Sequence, residues 1–211
     1  ITLNNNLTSA SGSSMIKGQL TGSGNYTQTS GALEIYATGN STYSGAIGGA
    51  STLAKTGSGT LTLAGTNTYS GNTTISSGNL TVSGQLGSGN YTGTISNAAA
   101  FTYSSNSNQI LSGVISGSGT LTKSGTSQLT LTGTNTYSGA TTISAGALTI
   151  GSSGALPSGS DLTIDGILNL NGFDLTVSSL AGSGSVVNYG GYELFSGANA
   201  SLANGLILYL D

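Results

Sequence analysis

The chain has no cysteine, histidine, arginine or tryptophan. Without cysteine there is no disulfide framework, although that absence by itself assigns no compartment. Without histidine, cysteine or arginine, catalytic triads, zinc sites and phosphate clamps have no raw material. Charge is scarce as well. Lys17, Lys55 and Lys123 stand against Glu34, Asp161, Asp165, Asp174, Glu193 and Asp211, a net charge of −3. Three scattered lysines cannot form a basic patch for nucleic acid or anionic lipid. The apolar stretch GLILYLD at Gly205–Asp211 is far too short to cross a bilayer. No signal peptide is present, so the chain reads as a mature, processed form.

What fills the sequence instead is glycine, with 36 residues, and serine plus threonine, about a third of the chain. Such a bias accompanies disorder when nothing apolar is patterned. Here 36% of residues are hydrophobic, and they alternate with polar ones, as in LTLAG and LTVSG. Alternation marks strands with one buried face, so the chain folds, and the glycine and serine belong to many short turns. A surface wetted by Ser, Thr and Asn responds little to pH or salt and repels identical copies weakly. Both properties suit an extracellular, assembled protein.

Self-similarity sets the architecture. GTNTYSG at Gly65–Gly71 recurs at Gly133–Gly139, 68 residues on. The same shift carries Lys55 onto Lys123, Leu61 and Leu63 onto Leu129 and Leu131, and Leu80 and Val82 onto Leu148 and Ile150. Inside this long repeat runs a spacing of 19 to 20: Leu61 to Leu80, and Leu129 to Leu148 to Leu168, with Val187 and Ile207 continuing the column. A period of about 20 residues, built from short strands between Gly/Ser/Asn turns, is the pattern of a β-solenoid. About ten coils stacked roughly 4.8 Å apart would give a rod on the order of 50 Å. On this reading residues 1–211 form one solenoid domain, with long repeats at about 18–84 and 85–151 and divergent coils over 152–211. The long repeat holds about three coils, which puts the heptapeptide at one corner three coils apart, with its tyrosine covering an end of the core. The GSG triplets starting at Gly22, Gly57, Gly87, Gly117 and Gly182 lack the lysine and helix of a nucleotide loop and read as coil corners.

LAKTGSGTLTLAGTNTYSGNTTISSGNLTVSG at Leu53–Gly84 resembles the autotransporter-associated β-strand repeat of bacterial autotransporter passengers, also called the passenger-associated transport repeat. LTKSGTSQLTLTGTNTYSGATTISAGALTIG at Leu121–Gly151 resembles a second copy. The resemblance implies an all-β, right-handed parallel β-helix, secreted or displayed at the cell surface. A translocator barrel would need many more residues than this chain contains. The terminal GYELFSGANASLANGLILYLD also departs from the repeat.

No catalytic, cofactor-binding or metal site is expected, and the chain does not read as an enzyme. Asp161 and Asp165 bracket LTI on one strand, about 13 Å apart, and with Asp174 they read as turn carboxylates. Lys55 and Lys123 read as a solvated corner. Threonine ranks on a β-solenoid can template ice, but no Thr-x-Thr runs uninterrupted through every coil, and threonine is also an ordinary strand residue. The expected assembly ends are Ile1, Leu3 and Leu7 at one extremity and Leu206, Ile207, Leu208, Tyr209 and Leu210 at the other, because a solenoid leaves backbone unpaired at its first and last coils. The leading expectation is therefore a structural, extracellular subunit that polymerises head to tail with copies of itself. The alternative is the passenger fragment of an autotransporter adhesin, a rigid stalk or cell-contact surface. Cell-surface or matrix glycans are the other expected partner class.

Overall fold

A computed structural model describes residues 1–188 and the backbone of two further strands, Tyr192–Ser196 and Leu202–Leu208. The chain winds into a parallel β-solenoid of about nine turns. At roughly 4.8 Å per coil it is on the order of 43 Å long. Among the described residues the one helical segment is the 3-10 turn Gly87–Gly89.

Each coil has three faces. The first stacks Ser14–Lys17, Ala32–Tyr36, Thr52–Thr56, Thr73–Ile75, Ile95–Asn97 and Ile115–Ser116. The second runs through Ser41–Tyr43, Thr60–Leu63, Asn79–Val82, Ala100–Tyr103, Thr120–Lys123, Thr141–Ile143, Ser160–Ile164 and Leu175–Ala181. The third begins with Leu7–Ser9, Tyr26–Gln28 and Ile47–Gly48. It continues through Thr66–Asn67 and Gln85–Leu86 and ends with Asn90–Tyr91, Gln109–Leu111, Gln128–Leu131, Ala147–Ile150, Ile167–Asn169 and Ser185–Asn188. Ladders between successive coils are parallel. At the C-terminal end the direction reverses: Tyr192–Ser196 pairs antiparallel with Ser185–Asn188, and Leu202–Leu208 with Leu175–Ala181.

Alternation decides which side chains enter. In Thr60–Leu63 and Asn79–Val82 the pattern is half-buried, buried, half-buried, buried. Leu61 sits on Leu80 and Leu63 on Val82, as the spacing of 19 anticipates. Leu129 likewise sits on Leu148, and Leu148 on Leu168. The next coil is shorter, so Leu168 meets Val186 and not Val187, and Ile207 pairs with Thr176 on the second face. These columns form one continuous core, in which each fully buried Leu or Ile contributes about 1.5–3 kcal/mol.

Corners are tight because backbone lies directly over backbone. The leading glycine of every GSG triplet has positive φ, from +54° at Gly87 to +110° at Gly182. At Gly117, φ is +104° and an added Cβ would lie 2.2 Å from Asn97 O of the coil beneath. Only glycine fits there without strain.

The two long repeats do not superpose on the same faces. Residues 53–56, 60–63 and 66–67 lie on the first, second and third faces, whereas 121–123 and 128–131 lie on the second and third. The heptapeptide follows the same rule. Asn67 belongs to the third face, but Asn135 stacks on Ile115 of the first. The corner is therefore not the same one three coils up: 68 residues make three turns and one face. With three similar faces of roughly seven residues, a segment is at home on any of them.

Candidate functional site

Each repeat copy carries the same lysine cage and the same tyrosine–threonine bond, and a closely similar set of asparagine bonds. Lys55 and Lys123 are fully buried, which corrects the expectation of a solvated corner. Lys55 Nζ donates to Thr56 O, Gly57 O and Ser77 O at 3.0, 2.8 and 3.1 Å. Lys123 Nζ donates to Ser124 O, Gly125 O and Ala145 O at 3.0, 2.9 and 3.2 Å. The third acceptor in each cage comes from the following coil, so the ammonium ties two coils together. Burial lowers both lysine pKa values, that of Lys123 to about 8. The Tyr103 ring, centred 6.0 Å from Lys123 Nζ, adds a weak favourable interaction with the charge. Sequence contained the signal: in LAKT and LTKS the lysine falls two residues after a core leucine and shares its inward direction.

The heptapeptide asparagines span gaps in the backbone ladder. Asn67 Oδ1 accepts from Ile47 N, and its Nδ2 donates to Gly65 O and Gln85 O. Asn135 Oδ1 accepts from Ile115 N at 2.7 Å, and Nδ2 donates to Ala155 O at 2.6 Å. The heptapeptide tyrosines are core residues rather than lids. Tyr69 and Tyr137 are buried, and their hydroxyls bond Thr73 Oγ1 and Thr141 Oγ1 at 2.8 and 2.7 Å. Desolvation raises the pKa of both, that of Tyr137 to about 12. These groups are all committed to the scaffold.

The carboxylates are dispersed. Asp161 is exposed and accepts from Ser178 Oγ and Ser179 Oγ at 2.5 and 2.7 Å, which lowers its pKa. Asp165 accepts from Ser183 N and Oγ, both at 3.1 Å. Asp174 lines a shallow cleft with Thr134, Ser153, Leu156 and Pro157, where the first face has lost its strands. Among the described residues no three His, Cys, Asp or Glu side chains gather as a metal site would require. No helix among them is long and apolar enough to cross a membrane.

Of the expected end residues, Ile1 and Leu7 are exposed and Leu3 packs partly against the core. Together with Met15, Ile16 and Tyr26 they line an apolar hollow in the first coil. Leu206, Ile207 and Leu208 lie opposite Val177, Thr176 and Leu175 on the strand paired with the protein's own last coil. Tyr209 and Leu210 lie outside the described residues.

Architecture alone makes this a repeat protein of the β-solenoid class. Residues 53–82 and 121–150 each match the family model described as the passenger-associated-transport-repeat. The chain carries two of these repeats, together under a third of its length, in a parallel β-solenoid, the arrangement of an autotransporter passenger β-helix. Comparison with curated proteins and with solved structures finds no match.

Proposed function

We propose that the chain is a rigid segment of an autotransporter passenger, displayed outside the cell as a stalk or contact surface rather than acting as a catalyst. The observation that carries this reading is the pair of passenger-associated-transport-repeats set into one uninterrupted stack of coils. Inter-coil hydrogen bonds and a continuous apolar column make the solenoid stiff along its axis. Its scarcity of charge keeps that stiffness nearly independent of salt. The comparisons favour this reading over a head-to-tail filament subunit.

The test is display. The 211-residue chain is fused upstream of an outer-membrane translocator barrel in a Gram-negative host and probed on intact cells with antibody and protease. Surface exposure of a folded, protease-resistant chain is the expected result. Retention inside the outer membrane, with the barrel itself inserted, would overturn the proposal.

A further inference from the structure

The second face bears a single unbroken column of threonine. Thr42, Thr62, Thr81, Thr102, Thr122, Thr142 and Thr163 pair in direct succession across seven strands. The bridges Gly22↔Tyr43 and Thr2↔Thr21 carry the same register down through Thr21 to Thr2. Nine threonines spaced roughly 4.8 Å apart extend over about 38 Å.

Neighbouring ranks are not uniform. Beside the column on the same face stand Thr60, Asn79, Ala100 and Thr120. The outward rank of the first face reads Met15, Glu34, Ala54, Thr74, Ser96 and Ser116. That of the third reads Asn90, Ile110, Thr130, Thr149 and Asn169. Strand propensity acts equally on all three faces and does not account for threonine at every rung of one column.

Duplication accounts for only part of it. Because the second repeat is rotated by one face, the column draws on non-equivalent positions of the two copies. Thr122 corresponds to Ala54 in the first copy, and Thr142 to Thr74, both on the first face; Thr62 and Thr81 correspond to Thr130 and Thr149, on the third. Thr62, Thr81 and Thr142 keep the threonine of their repeat equivalents, whereas Thr42, Thr102 and Thr122 correspond to Ile110, Glu34 and Ala54 on other faces, so at those three rungs threonine belongs to this column and not to the repeat.

Most of these hydroxyls are unused. Among the described residues Thr2 bonds Thr21 at 3.0 Å and Thr102 donates to Asn79 Oδ1 at 3.3 Å, whereas Thr42, Thr62, Thr81, Thr122, Thr142 and Thr163 have no side-chain hydrogen bond within the protein. None of the nine rungs carries a charge; Asp161 and Asp165 flank the last of them. The face therefore offers hydroxyl and methyl groups in a line, at a spacing held by backbone ladders. We propose that this column binds crystalline ice. Water held between successive hydroxyls acquires the regular spacing of the ladder, close to the repeat of oxygen atoms on an ice surface. The rigid backbone removes the ordering cost that a flexible array would bear on binding.

The experiment measures the growth of single ice crystals and the thermal hysteresis gap with the purified 211-residue chain at rising concentration. Faceted crystals and a gap that grows with concentration are expected. The double variant T102Y/T122Y places bulk on the column at solvent-facing positions and should reduce the gap by about tenfold. T74Y/S96Y on the first face should leave it unchanged. Circular dichroism checks that each variant is folded. Should the tyrosine pair misfold, Thr122→Val, which keeps shape and strand propensity, should still shrink the gap. Overturning results are rounded crystals with no gap from the folded parent chain, or equal loss from the two faces, or full activity in the folded second-face variants.

Discussion

Replacing Lys123 with methionine removes an ammonium group while keeping the apolar stem. Three acceptors, Ser124 O, Gly125 O and Ala145 O, then lose a donor that stood at 3.0, 2.9 and 3.2 Å. Hydrogen bonds to a charged group contribute about 1.5–3 kcal/mol each, and a buried carbonyl left without a donor costs about 1–3 kcal/mol. Against this stands the penalty of holding a cation out of water with carbonyls rather than a carboxylate as partners, several kcal/mol. Burial lowers the Lys123 pKa to about 8, so the amine stays protonated at neutral pH and its three hydrogen bonds are those of a charged donor. The net loss at pH 7 is then about 2–4 kcal/mol. Lys55→Met empties the equivalent cage and should cost the same to within about 1 kcal/mol. The double variant should be additive, because the cages are more than three coils apart. Guanidinium denaturation followed by far-UV circular dichroism and tyrosine fluorescence measures all three. Single variants within about 0.5 kcal/mol of the parent would refute the reasoning, since the cage would then merely cancel its own desolvation penalty.

Asn135→Ala severs the bonds to Ile115 N and Ala155 O and should cost about 2–3 kcal/mol; faster hydrogen exchange at the Ile115 amide would report the break locally. Gly117→Ala forces a side chain onto φ +104° and against Asn97 O, a loss of at least about 2 kcal/mol in thermal unfolding. The pH dependence of stability has a definite shape. Between about 8 and 10.5 the unfolded chain keeps the Lys123 proton that the folded chain has shed, so stability rises with pH. Between 10.0 and about 12 the unfolded chain loses the Tyr137 proton first, so stability falls. The melting temperature should peak near pH 10, and a steady decline from neutral pH upward would contradict the two shifts.

Much of the fold is legible in the sequence because β-structure alternates locally. Leu61 and Leu63 at two-residue spacing announce a strand, and their return as Leu80 and Val82 announces the coil above. Glycine at GSG corners is equally readable, since positive φ leaves few alternatives. The buried lysines were legible in principle, through their parity with Leu53 and Leu121, but their polarity argued the other way. Only the three carbonyls gathered around each Nζ make their burial tolerable.

Which face a strand occupies belongs to the tertiary structure. A parallel ladder needs only a partner of the right register above and below, so any segment of about seven residues can lie on any face. The running total of corner lengths decides. The 68-residue period overshoots three coils and turns the second copy by one face, a phase that no local pattern carries. That phase brings Thr62, Thr81, Thr122 and Thr142 into one line from unlike positions of the repeat. The sequence by itself determined strands, corners and core; the sum of all the turns between them decided what the surface presents.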